Sequence, residues 1–256
     1  MPAWMSDLSD DGFLDGRLRI AQPRGGFRSG ADAVMLAAAC PAEGGQAVLE
    51  LGCGAGVASL CLGWRVPDLR LAGLESQADY ADLARRNAAA NGIRMQVLTG
   101  DVARPPSELR AQAFDHVIAN PPYFLGGTAA PDGGRALARQ EATPLAAWID
   151  AGLRRLRPGG VLTLIQRADR LDAMLAAMSD RAGSVAILPI AGRAGRDAGR
   201  VILQARKGAR GPLRLLAPFV MHREPAHAGD REDLTDAAAA VLRKGLPLTN
   251  LFTKVS

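Results

Sequence analysis

Asn120-Pro121-Pro122-Tyr123 closes the apolar run FDHVIAN and opens a glycine-rich stretch. Two successive prolines lack backbone donors and suit neither a helix nor the interior of a sheet. What they can do is hold a corner rigid. The exocyclic amine of adenine is a weak nucleophile because its lone pair is delocalised into the ring. Acceptors on both of its N–H bonds favour a pyramidal nitrogen with a freer lone pair. The Asn120 side-chain carbonyl can supply one acceptor and the Pro121 main-chain carbonyl the other. Proline's fixed φ aims both before a substrate arrives. Tyr123 adds a ring face on which a planar base can stack. The four residues together are candidates for the catalytic group, and no strong base is required, since the proton becomes acidic once a methyl is attached.

A second cluster lies upstream. Glu50-Leu51-Gly52-Cys53-Gly54-Ala55-Gly56 ends an apolar run, and glycines at a strand-to-helix turn let a ligand approach the backbone closely. A dinucleotide fingerprint would place glycine at 57, where Val57 stands. The carboxylate of Glu50 would repel a pyrophosphate and suits a ligand with a cationic end, such as an amino group and a sulfonium. Glu75, about twenty residues past the glycines, is placed to accept ribose hydroxyls. Asp101, with Val102 beside it, is placed to accept from an adenine amine. Three acids at the ends of successive strands point into one crevice, with Asn120 next to it.

The elements that must position these residues can be read from the alternation of the chain. QAVLELG, LRLAGLES, IRMQVLTGD, FDHVIAN and VLTLIQR read as strands. GVASLCLGWR, ADYADLARRNAAANG and LAAWIDAGLRRL read as the helices between them, the second stopped by Asn91-Gly92 and the third by Arg157-Pro158-Gly159-Gly160. RLDAMLAAMSD is a further helix. SVAILPI and RVILQAR follow without a helix between them and should pair antiparallel. Such alternation predicts a mostly parallel sheet with helices on both faces. DREDLTDAAAAVLRKG predicts a last, capped helix.

Bulk properties narrow the function classes. The 256 residues are 48% hydrophobic, enough for one large core. The three cysteines, Cys40, Cys53 and Cys61, form no CxxC pair, and His116, His222 and His227 are scattered, so no metal site is expected. The acidic start MPAWMSDLSDDGFLDG does not resemble a signal peptide, and no apolar run is long enough to span a bilayer. A cytoplasmic protein with reduced thiols is expected. The net charge of +5, carried almost wholly by arginine, is compatible with a polyanionic partner.

Over most of its length the chain resembles the class I S-adenosylmethionine-dependent methyltransferases with an Asn-Pro-Pro-aromatic motif. The resemblance rests on Glu50 to Gly56, on Glu75 and Asp101, and on Asn120 to Tyr123. It implies a Rossmann-like α/β fold, a seven-stranded mostly parallel sheet with an antiparallel last strand, and S-adenosyl-L-methionine as cofactor. It also implies that residues 26–39, GFRSGADAVMLAAA, close over the methionine end of that cofactor, with Gly30 and Asp32 in contact. The expected partition is an N-terminal arm, residues 1–29, and a methyltransferase domain, residues 30–256, with a C-terminal extension from 208.

Enzymes of this type methylate adenine in DNA, adenine or guanine in RNA, and glutamine in release factors. Only about fifty residues precede the glycine motif, too few for the helical domain of the release-factor enzymes. No segment is spare for the target-recognition region of the DNA enzymes. The chain is similar to the bacterial valine-tRNA adenine-N6 methyltransferases, which implies methylation of adenine-37, 3′ of the anticodon. Protein glutamine-N5 methylation and methylation of rRNA or DNA bases are the alternatives. A base in a single-stranded loop can be splayed out at low cost. Residues 124–142 are expected to act as a lid over it, with Arg135 and Arg139 on RNA phosphates. Arg17, Arg19, Arg24 and Arg28 form a second candidate RNA patch.

Overall fold

A computed structural model describes residues 7–123, 143–224 and 233–253. The chain opens on a hairpin, β1 (Leu8–Phe13) and β2 (Leu18–Pro23). Helix α1 (Ala31–Ala39) follows, then β3 (Ala47–Leu51), α2 (Val57–Arg65), β4 (Arg70–Glu75), α3 (Ala78–Ala90) and β5 (Met95–Thr99). Next come α4 (Ser107–Arg110), β6 (Phe114–Ala119), α5 (Leu145–Arg155), β7 (Leu156–Arg167) and α6 (Leu171–Met178). The chain continues through β8 (Ala182–Arg193), β9 (Ala198–Lys207), β10 (Arg214–Leu215), β11 (Phe219–His222), α7 (Asp236–Lys244) and α8 (Thr249–Phe252).

The main sheet runs β10-β8-β9-β7-β6-β3-β4-β5, with β11 also paired to β8. Strands β3 to β7 pair in parallel, and β9 lies antiparallel between β7 and β8. The expected seven-stranded, mostly parallel sheet is present, and the C-terminal extension adds two short strands to its β8 edge. Strand order reverses between β3 and β6, which opens a crevice at their carboxyl ends. The glycine loop follows β3 and Asn120 follows β6, so this one topological fact brings the two motifs together.

Alternate residues of each strand face opposite layers. Val48, Ile118 and Ile165 pack in a core with α1 and α2. Their neighbours Leu49, Val117 and Leu164 pack in a second core with Trp148, Ile149 and Met174 of α5 and α6. Burial on both faces explains why β3 reads as an unbroken apolar run apart from Glu50.

One element differs from expectation. Strand β7 begins at Leu156 rather than after the Pro-Gly-Gly turn. Leu156 pairs with Phe114, and the ladder resumes only at His116 and Val161, so Arg157–Gly160 bulges out of a strand that has already started. Within the segment expected as an arm, the described residues from Asp7 onward include a hairpin that packs on the sheet domain. Leu14, Leu18 and Ile20 of the hairpin are buried against the main body. Asn87 of α3 accepts from the Ala21 N–H at 2.9 Å and donates to its carbonyl at 3.0 Å. Asn91 makes the same pair of bonds with Arg19, at 3.0 and 2.8 Å. Two side chains one helical turn apart thus stand in for a neighbouring strand along β2.

Candidate active site

The glycine loop is pinned to the strand beside it: the N–H groups of Gly52 and Cys53 both donate to the Leu74 carbonyl, at 2.7 and 3.1 Å. Gly52, Gly54 and Gly56 have φ of +66°, +52° and +90°, where any side chain would be strained. At Gly52 a Cβ would also lie 2.6 Å from the Trp148 ring. The loop is therefore bare because the fold leaves no alternative, and its backbone is open to a ligand.

Glu75 ends β4 beneath this loop. Its two oxygens accept from the Gly54 N–H at 2.9 Å and from the Gln77 N–H at 2.9 Å. Burial raises its pKa, and these bonds offset the rise in part. Glu50 lies deeper. One of its oxygens accepts from the Ser59 N–H at 2.9 Å and hydroxyl at 2.5 Å. Burial, opposed by Ser59 and aided by the charge of Glu75, pushes its pKa up to about 7. The site disfavours two bare anions and would favour a cation beside them.

Above the loop opens a cavity of about 330 Å³. Its wall comprises Gly52, Gly54, Glu75, Gln77 and Tyr80 on one side, and Asn120, Pro121, Pro122, Tyr123 and Trp148 on the other. Gly26, Phe27 and Arg28, which follow the hairpin, also line it. Among the described residues, Asn120 Oδ1 and Trp148 Nε1 are buried side-chain atoms with no hydrogen-bond partner. Such atoms are costly unless something binds them. The Pro121 carbonyl already accepts from Gln166 Nε2 at 3.2 Å, and Gln166 is itself tied to the Arg167 N–H at 2.9 Å. A carbonyl has two lone pairs, so one remains for a ligand. The Tyr123 hydroxyl donates to Asp32 Oδ2 at 2.7 Å, and burial together with that nearby charge raises the phenol's pKa.

Gly52, Gly54, Glu75 and the four residues from Asn120 to Tyr123 thus line one cavity. Others lie elsewhere. Glu50 is not on the cavity wall, and its Oε2 is taken by the N–H and hydroxyl of Ser59 in the first turn of α2. Cys53 is buried against Gly73, and Gly56 supplies the left-handed residue that starts α2. Gly30 caps α1, and Asp32, expected on the cofactor, is engaged by Tyr123 and Arg200. Asp101 is exposed and accepts from the Ala103 N–H at 2.8 Å in a local turn, while Val102 packs into the second core. Neither is on the cavity wall.

Of the arginines expected on RNA, Arg19 pairs with Asp10 within the hairpin, and Arg24 and Arg28, beyond it, pair with Asp7 and Asp11. Arg17 lies over Trp64, 5.7 Å from the ring centroid, and donates to the Leu14 carbonyl at 3.0 Å. Asp7, Asp10 and Asp11 of the acidic start therefore pair with three of the four arginines of that patch. Arg135, Arg139 and the expected lid fall outside the described residues. Phe27 lies in the segment 26–39 expected to close over the cofactor, though not singled out within it. Sequence reading missed Gln77, Tyr80, Trp148, Gln166 and Arg200. Gln77 and Tyr80 follow Glu75 closely enough to have been suspected, but nothing local marks the other three.

Residues 29–188 match the family described as Methyltransferase small domain. A protein of Aeromonas hydrophila subsp. hydrophila named tRNA1(Val) (adenine(37)-N6)-methyltransferase is 31% identical over 205 residues, 78% of this chain and 85% of the relative. Among solved structures, one from Agrobacterium tumefaciens described as a predicted O-methyltransferase superposes with a TM-score of 0.68. It is 28% identical and covers 84% of this chain and 97% of that one. A T. thermophilus 16S rRNA N2 G1207 methyltransferase in complex with AdoMet and guanosine shares the fold, with a TM-score of 0.53 at 22% identity. That match covers 78% of this chain and 50% of the other.

Proposed function

This chain belongs to the methyltransferase small-domain family, and we propose that it methylates N6 of adenine in tRNA, 3′ of the anticodon, using S-adenosyl-L-methionine. The observation that carries this reading is Asn120 Oδ1, a buried acceptor without a partner among the described residues, on the wall of a cavity shared with the glycine loop. A relative whose printed name specifies adenine-37 of a valine tRNA supports the choice of substrate.

The residues present fit that cofactor. Three glycines leave an open backbone cradle, Glu75 offers a carboxylate at the cavity wall, and the buried acids favour a positively charged ligand. S-adenosyl-L-methionine supplies an electrophilic methyl. Gly52 and Gly54 would admit it against the backbone, and Glu75 would accept its ribose hydroxyls. Asn120 Oδ1 and the free lone pair of the Pro121 carbonyl accept the two N–H bonds of the target amine, which keeps the nitrogen lone pair available for attack. Gln166 holds the Pro121 carbonyl in place. Tyr123 stacks the base, and the cavity excludes water around the amine. The proton leaves after methylation, when it has become acidic.

A side-chain amide also presents two N–H bonds, so a glutamine in a release factor is the second reading. Labelled cofactor offered with total tRNA or with release factor separates them. Label in tRNA at adenine N6 is expected, and label confined to the protein fraction overturns the proposal. Asn120→Ala is expected to lower kcat by about 10²–10³ while cofactor affinity stays within about twofold. Glu75→Ala is expected to weaken cofactor binding instead. Calorimetry beside steady-state rates makes the comparison.

A further inference from the structure

Tyr123 is held by two residues that take no part in the cavity wall. Its hydroxyl donates to Asp32 Oδ2 at 2.7 Å. The guanidinium of Arg200 lies over its ring, 4.5 Å from the centroid, and Arg200 Nε donates to the same Asp32 oxygen at 3.2 Å. Asp32 stands in the first turn of α1, Tyr123 beyond the end of β6, and Arg200 near the start of β9. Register explains the meeting. Ala119 pairs with Leu164, and Arg167, three residues further along β7, pairs with Arg200. Arg200 therefore stands at the same rim of the sheet as the turn after β6.

The two interactions restrain different motions. A hydrogen bond to the hydroxyl fixes where the ring's long axis points. It does not stop rotation about that axis, since turning χ2 leaves the oxygen in place while the faces swing, and that torsion is soft. A cation stacked on one face does stop it. Arginine can stack its plane and donate from its edge at once, which lysine cannot do. Asp32 completes the arrangement by bonding to both partners. With Arg200 on one face and absent from the cavity wall, a base entering the cavity meets the ring from the other side.

We propose that Asp32 and Arg200 are positioning residues that fix the plane of Tyr123 and, through it, the plane in which the target base is presented to Asn120. This inference rests on the base-methylation reading above. A fixed ring plane matters for a flat base and matters little for a flexible side-chain amide.

The test compares Tyr123→Phe, Asp32→Asn, Arg200→Lys and Arg200→Met in the full-length protein. Removing the hydroxyl bond or the stacked cation is expected to lower kcat on tRNA about tenfold, the effect of withdrawing one such interaction from the transition state. Cofactor affinity by calorimetry stays within about twofold, and Arg200→Lys does not restore the rate. Tyr123→Phe combined with Arg200→Met falls below either single variant, because each change frees a different motion of the ring. Urea unfolding of Asp32→Asn, Arg200→Met and their double variant gives a non-additive cycle, a readout independent of turnover. A Tyr123→Phe, Arg200→Met double variant no slower than Tyr123→Phe alone overturns the brace, since the stacked cation would then restrain nothing. So does an Asp32→Asn variant with weakened cofactor binding and an intact kcat, since Asp32 would then bind cofactor directly. Wild-type labelling of tRNA runs alongside: a wild-type protein inactive on tRNA defeats the base-methylation reading, whereas an active wild type with fully active Arg200→Met defeats the brace alone.

Discussion

Glu50 shows at the scale of one residue how the fold can set the protonation of a motif acid. Its carboxylate is buried, accepts twice from Ser59, and has a pKa of about 7 against 4.5 for the free side chain. Between those values the folded protein keeps a proton that the unfolded chain has lost. The resulting stability is fully present below about pH 4.5, falls as pH rises toward 7, and stays lost above it. Glu50→Gln can still accept from Ser59 but cannot ionise. Its unfolding free energy is expected to vary less than that of the wild type between about pH 5 and about pH 8, by at most about 3 kcal/mol. Urea denaturation of both proteins at the two pH values measures the difference, and parallel profiles would show that Glu50 does not titrate in that window.

The hairpin makes the corresponding point for elements. Strand β2 has β1 on one side only, and its other backbone edge would be an unpaired row of donors and acceptors. Asn87 and Asn91 occupy that edge, and Asn87 Nδ2 also donates to the Ala55 carbonyl of the glycine loop at 2.9 Å. One side chain therefore ties the hairpin, α3 and the glycine loop together. Asn87→Ala leaves buried backbone groups unpaired and is expected to cost about 1–3 kcal/mol of stability. It should also raise the KM for cofactor several-fold, because Gly26, Phe27 and Arg28 on the cavity wall follow directly from β2. A urea midpoint and a cofactor titration on the same variant test both effects. Stability loss with unchanged cofactor affinity would mean that the hairpin does not position the wall.

On the scale of the molecule, the C-terminal extension is part of the body. Strands β10 and β11 pair with β8, and the Leu248 N–H donates to the Ala38 carbonyl of α1 at 2.8 Å. Val241, Leu248 and Phe252 belong to the same core as α1 and α2, so the extension supports the helix that carries Asp32. A chain ended after Lys207 would expose that apolar surface and the β8 edge. It is expected to lose its cooperative thermal transition or to aggregate, as read by calorimetry and light scattering. A truncated protein that melts at the wild-type temperature would show the extension to be an appendage.

The sequence alone determined the alternation of strands and helices, the bare glycine loop, the acid Glu75 at the end of the next strand, and the Asn-Pro-Pro-Tyr corner. Each of these is a local property: apolar period, a positive φ that needs glycine, the rigidity of two prolines. Tertiary structure decided which acids reach the cavity. Glu50 and Asp101 occupy equally plausible strand ends, yet each is taken by donors from residues close to it, Ser59 and Ala103. It also decided the fate of the hairpin arginines, since the pairing of β1 with β2 brings their carboxylate partners alongside. Trp148, Gln166 and Arg200 carry no local signature. They reach the site only because strand order and register fold distant segments onto one rim, and that information is spread over the whole chain.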